Sequence, residues 1–242
     1  MKIHTLLLLL AFSLQANTQE YVINVVEAFD NQSDRQRLEV LFSHIYRPLG
    51  ISPYFVYYPS LRGLNLANKG DIDAEAFRIA EVAEQYPNLL KIPEPMTRVT
   101  SGFFCSSKAH CQINTQSVIA MRSGFLGGAS FCRDKNLRCK YESKPSNLLK
   151  MLDEGLATSL LMSTIGASQR LCMSKQQNIY YKLEPEFERD AFHYVHKKHA
   201  HLRPALVDAI IQLKFSERYS LFTQTWSEKL KSCGKTLINI EA

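Results

Sequence analysis

The chain has 242 residues with a formal charge of +6, 45% hydrophobic residues and only 10 glycines. That length and apolar content support one large domain or two small lobes and exclude broad disorder. The positive excess favours anionic ligands in a general way, but the basic residues are scattered and no recognition motif accompanies them, so nucleic acid is not the expected partner.

Residues 1–18 read as a cleaved export signal: Lys2 and His4, an apolar run over 6–12, then small and polar residues at 16–18. The run is too short to cross a bilayer, and no later stretch is long enough to do so. The mature chain is therefore expected in the periplasm. No cysteine stands near the cut, which argues against a lipid anchor.

Residues 22–26 are almost continuously apolar, as in a strand covered on both faces. Ser33 with Gln36 reads as a capping box; Leu38, Leu41, Phe42, Ile45 and Leu49 follow at helical spacing until Gly50. A strand over 54–57 completes a strand, helix, strand unit with a right-handed crossover. Ser60 is expected to cap a second helix carrying Leu61, Leu64 and Ala67 and closed by Gly70. Ile72, Ala74 and Ala76 then alternate with Asp73, Glu75 and Phe77, the period of a strand.

The same grammar returns later. A strand over 118–121 ends in Arg122-Ser123-Gly124, and a helix bearing Leu148, Met151 and Leu152 stops at Gly155 before the apolar run 160–162. Two tail helices follow, one with Leu206, Ala209, Ile210 and Leu213, the other with Tyr219, Phe222 and Trp226; both are expected to pack on the first half.

Cys105, Cys111, Cys132, Cys139, Cys172 and Cys233 form an even set suited to an oxidising compartment. Short loops favour Cys105 with Cys111 and Cys132 with Cys139, leaving Cys172 for Cys233, although spacing alone does not fix the connectivity. The spacing suits zinc poorly.

Ligands of open α/β sheets sit beyond the carboxyl ends of the strands. Glu27, Phe29, Tyr58, Glu75 and Arg78 fall at or just past such ends, with Arg62 in the next helical turn. An arginine fork meets a carboxylate through two parallel hydrogen bonds; the plain alternative is that Arg62 pairs with Glu75. Arg122, Ser123 and the glycines 124, 127 and 128 suggest either an anion-binding loop or a simple turn. His193, His196, His199 and His201 crowd one region, but Lys197 and Lys198 lie between them, so a solvated connector is favoured over a metal site. No cofactor fingerprint, nucleophile elbow or catalytic cysteine signature is present.

In order and spacing, Gly70, Ile72-Asp73-Ala74, Arg78, Tyr86-Pro87-Asn88-Leu89, Pro93-Glu94-Pro95-Met96 and the return from His193 to His199 followed by Leu202 resemble the extracellular solute-binding proteins of family 3, the amino-acid-type periplasmic binding proteins of type II fold. The resemblance implies an α/β chain of two lobes, each a mostly parallel sheet flanked by helices, with lobe one over 19–108 and 198–242 and lobe two over 109–197. It implies a monomeric receptor without a cofactor that closes on a small solute and presents it to an ABC-type permease or a membrane sensor. Arg78 matches the position that grips a ligand carboxylate; Arg122 and Ser123, from the loop reading, and Ser163 are the candidate contacts expected from the second lobe. Thr158 and Ser163 stand where family members carry acids for a ligand amino group, which sets this chain apart from α-amino-acid binders. Replacing Arg78 by alanine is expected to remove ligand binding and leave unliganded stability nearly unchanged. The alternative, from another class, is a periplasmic enzyme on the same scaffold, resembling cyclohexadienyl dehydratase.

Overall fold

The apolar run 22–26 becomes the core strand β1 (Tyr21–Val26) of a five-stranded sheet in a computed structural model that describes residues 20–241 other than 30–31, 126, 218 and 220–225. The expected signal over 1–18 and Phe222 therefore lie outside the described residues. Beside β1 lie β2 (Pro53–Tyr58) and β3 (Ala74–Ile79), both parallel to it; β10 (Arg189–His196) runs antiparallel between β3 and β4 (Leu89–Val99). Parallel neighbours need covered crossovers, and these are α1 (Gln32–Tyr46) and α2 (Ser60–Lys69). Leu38, Leu41, Phe42 and Ile45 of α1 pack with Ile23 and Val25 on one face; Leu64 and Ala67 of α2 join the cluster on the other.

The second sheet repeats the plan. Its strands are β5 (Ser101–Cys105), β6 (Val118–Arg122), β7 (Arg138–Glu142), β8 (Ser159–Ser163), β9 (Asn178–Leu183) and β11 (Thr236–Asn239), in the order β11-β9-β5-β8-β6-β7. Here β6 is parallel to β7 and β8, while β5 runs antiparallel to β8 and β9. Short helices α3 (Val82–Gln85) and α4 (Gly128–Asp134) precede α5 (Pro145–Asp153) and α6 (Thr164–Arg170), and α5 and α6 bury Leu148, Leu152 and Ala167 against this sheet. The two-lobed α/β architecture is thus present, one sheet to a lobe.

The lobe boundaries differ from those expected. The chain leaves the first sheet at Thr100 rather than near 108, because β5 pairs with β8 and β9. Strand β10, expected in the second lobe, belongs to the first sheet. Of the tail helices, α7 (Arg203–Lys214) returns to the first lobe through Leu206, Ile210 and Leu213. The helix Trp226–Ser232 instead joins the second lobe, where Trp226 meets Phe104 and Tyr181 edge-on and Leu230 is buried. Helical periodicity identifies an apolar face; it does not identify the core that receives it.

Three further expectations are revised. Helix α1 begins by Gln32, so Ser33 lies within its first turn and not at a cap. Ser60 opens α2 but makes no cap bond. The stretch 193–201 is a solvated connector only in its second half: His193 and His196 are buried on β10, while Lys197–Leu202 forms a largely exposed 3-10 turn. His193 Nδ1 faces the Glu75 carbonyl at 2.9 Å, so it carries the proton; Nε2 accepts from the Tyr46 hydroxyl at 2.6 Å, and Tyr46 in turn lies 3.1 Å from the Tyr21 hydroxyl.

The three expected disulfides are formed, Cys105–Cys111, Cys132–Cys139 and Cys172–Cys233. The last spans 61 residues and fastens the tail helix beside α6. Removing it with a double Cys172→Ala, Cys233→Ala change is expected to cost about 4 kcal/mol by loop-closure entropy, read as a lower urea midpoint with earliest loss of β11 amide protection.

Burial pushes the His193 imidazole from 6.5 down to about 4. A base whose folded pKa is depressed stabilises fully above its unfolded pKa, and that contribution is lost as pH falls through the interval between the two. Stability is therefore expected to fall by about 3 kcal/mol between about pH 6.5 and pH 4. Urea titrations at several pH values will show this slope in the parent chain, and His193→Gln will flatten it.

Candidate functional site

Strand β3 brings Glu75 and Arg78 to the middle of the first sheet, where Glu75 is 0% and Arg78 7% exposed. A carboxylate in such a place requires partners. Asn24 on β1 directs its amide nitrogen to both Glu75 oxygens at 2.9 and 3.0 Å, and its carbonyl oxygen accepts from the Tyr58 N–H of β2 at 3.1 Å. Arg78 donates to Glu75 Oε2 through Nε at 2.8 Å and Nη2 at 2.6 Å. Its Nη1 reaches the Ser60 hydroxyl at 2.9 Å, and Nη2 lies 3.4 Å from the Ser60 carbonyl. The Ser60 hydroxyl is thus diverted from capping to holding this guanidinium. Burial pushes the Glu75 carboxyl up, against the pull of Arg78 and Asn24. Gly63 completes the arrangement, since a Cβ there would run into the Asn24 amide and come within 3.0 Å of Glu75 Oε1.

Between the sheets lies a cleft of about 410 Å³ adjoining a second compartment of about 270 Å³. Val26, Phe77, Arg78 and Ile79 from the first lobe and Arg122, Phe125 and Ser163 from the second line both compartments. Arg122 donates to Glu27 Oε1 at 2.6 Å, an ion pair that crosses from lobe to lobe. Asp34 of α1 makes a second crossing, to Gln169 at 3.1 Å and Lys229 at 3.1 Å.

Of the residues read from sequence, Arg78, Arg122, Ser123 and Ser163 line the larger compartment and Phe29 the smaller. Glu27 enters through its bond to Arg122. Tyr58, Arg62 and Glu75 are not on the lining: Arg62 is exposed on α2 with its guanidinium 4.6 Å above the Tyr58 ring, and Glu75 stands behind Arg78. The ion pair expected as the plain alternative, Arg62 with Glu75, is replaced by Arg78 with Glu75. Arg78 is consequently no free guanidinium at the mouth of the cleft. Around 122–125 and 127–128 the N–H groups of Ser123, Phe125 and Gly128 are taken by the carbonyls of Glu142, Arg122 and Phe125, as in a simple turn. Ser163 caps α6 by accepting from the Gly166 N–H at 3.1 Å, and Thr158 is bonded to the Val118 backbone.

Sequence reading missed two arginines of the cleft. Arg189 opens β10 and donates to Glu81 Oε1 at 3.0 Å. Arg170, in the last turn of α6, lines the smaller compartment and makes one described contact, Nη1 to the Gly166 carbonyl at 3.4 Å. Burial, then the nearby Arg122 charge, pull its pKa down, and Glu27 pulls it up. The only sequence signal for Arg170 was its place four residues after Gly166 on the helix that Ser163 caps.

No protein-family model and no curated protein sequence matches the chain. Solved structures do. The periplasmic VFT2 domain of Bordetella pertussis BvgS superposes with a TM-score of 0.65 at 13% identity, covering 84% of this chain and 92% of that one. An ancestral arginine-binding protein bound to arginine gives 0.64 at 13%, with 86% and 97% covered. The GluR0 ligand-binding core from Nostoc punctiforme in complex with L-glutamate gives 0.64 at 14%, with 85% and 98% covered. The fold is the two-lobed, periplasmic-binding-protein-like one. At such identities the likeness establishes architecture.

The Arg78 pairing reverses one expectation. Arg78→Ala is expected to cost about 3–5 kcal/mol in the unliganded protein, because it strands a buried carboxylate. The deficit will grow as pH rises above the ordinary glutamate range, since the folded state then keeps Glu75 protonated while the unfolded chain ionises. Urea denaturation at acidic and neutral pH measures both effects.

Proposed function

We propose that the protein is an exported solute-binding protein that captures a small anionic or zwitterionic solute between its lobes. In this reading the mature chain acts as a monomer in the periplasm and offers its closed form to an ABC-type permease or a membrane sensor. The observation that carries it is the cleft itself: its walls come from both sheets, and Glu27 and Arg122 meet across it at 2.6 Å. A ligand touching both walls completes its contacts only when the lobes approach, so it shifts the open and closed populations. The ion pair, about one-third exposed on each side, contributes at most about 1 kcal/mol, weak enough to be remade in each cycle. Arginine-lined and otherwise largely apolar walls suit an acid with a hydrocarbon body. Among the described residues no helix is long and apolar enough to cross a membrane.

A thermal-shift screen of the chain lacking residues 1–18 against amino acids, organic acids, polyamines and peptidoglycan fragments tests the proposal. A true ligand at a hundredfold excess over its Kd is expected to add about 2.7 kcal/mol. Silence across the whole set would defeat the capture reading. Conversion of a prephenate-like acid during the same incubation would replace it with the dehydratase-like enzyme.

A further inference from the structure

Resting on that reading and narrowing it, we propose that Arg170 is the anion anchor of the cleft and that the solute is a small monoanion with an apolar body. Among the described residues lining the two compartments, Arg78 is matched by Glu75, Arg122 by Glu27 and Arg189 by Glu81. Arg170 has a single backbone carbonyl at 3.4 Å and, among the described residues, no carboxylate within ion-pair distance, Glu27 acting on it only from farther off. Among the described residues, these four arginines face three glutamates, which leaves one positive charge over. Closing the lobes strips water from that guanidinium, which is costly unless a counter-charge arrives with the ligand. A zwitterion brings no net charge; a monoanion brings the one required.

The ground around Arg170 is shaped for this. A Cβ at Gly166 would lie 3.2 Å from Ser163 Oγ and 3.4 Å from Arg170 Nη1, so the hydroxyl and the guanidinium both flank this glycine. Arg122 and Arg170 both line the smaller compartment, and the charges of Arg122 and of its partner Glu27 both reach Arg170. An acid seated between them meets charge-assisted donors, and its body then faces Phe29, Phe77 and Phe125. The anchor belongs to the second lobe and is independent of Arg78.

Isothermal titration of the mature chain with acetate, butyrate, benzoate, phenylacetate and indole-3-acetate, each beside its amide, tests the assignment; phenylalanine and phenethylamine are the zwitterionic and cationic companions of phenylacetate. At least one arylated or alkylated acid is expected to bind more than about tenfold tighter than its amide, and phenylacetate tighter than phenylalanine. Arg170→Gln is expected to weaken the acid by about 10- to 100-fold while the unliganded urea midpoint stays in place. Arg170→Lys, which keeps the charge and loses the fork, is expected to fall between the two. Unchanged acid affinity in Arg170→Gln, equal binding of amide or zwitterion, or no acid binding at all overturns the proposal. If an amino acid or polyamine stabilises the protein while every monocarboxylate fails, solute capture stands and the anchor assignment falls.

Discussion

A carboxylate with no exposure to water sits at the centre of the first sheet, and the first lobe's contribution to the cleft depends on how it is satisfied. Glu75 is held by the Asn24 amide from one side and the Arg78 fork from the other, and Asn24 also ties down the backbone of β2 at Tyr58. Three neighbouring strands are thereby fixed in relation to one another. Gly63 lets α2 lie directly over the pair, and Ser60 at the start of that helix takes another donor of Arg78. Such a network is stabilising only while complete, because each member removed leaves another buried and unpaired. Arg78 presents its edge to the cleft, but the requirement that places it there is internal.

The same principle of matched charge extends along the cleft. Glu27 with Arg122 and Glu81 with Arg189 repeat the pairing in more exposed settings, where it is weaker and more readily exchanged. Deep pairs hold architecture, and shallow pairs cost less to break. Arg170 departs from the pattern, and its lack of an ion-pair partner beside an apolar wall is what turns a general positive excess into a localised one. The cross-lobe contacts of Glu27 and Asp34 lie at different points of the interface, so the lobes are tied at more than one place.

Much of the fold was legible because local patterns carried it. The apolar run at 22–26, the helical stripe from Leu38 to Ile45 and the glycine stop at Gly70, with φ of 86°, all fall in the elements they suggested. Short loops favoured two of the disulfide pairs and elimination the third, and all three are formed. What failed was assignment to a partner: Ser60 has the chemistry of a cap but serves a guanidinium, His193 has the look of a solvated residue but completes a buried chain, and Trp226 lies on a helix whose periodicity says nothing of which lobe receives it. Long-range pairing, over 18 residues for Ser60 and Arg78 and 147 for Tyr46 and His193, leaves no local trace.

The sequence by itself determined the kind of molecule: alternating helices and strands in two similar halves, an oxidised cysteine framework and arginines near strand ends. Those properties are written in periodicity and composition, which act over a few residues. The tertiary structure alone decided which arginine is neutralised and which is left unmatched, and where the chain passes from lobe to lobe. Those outcomes depend on which distant groups share a dry volume, and charge is settled there by neighbours in space.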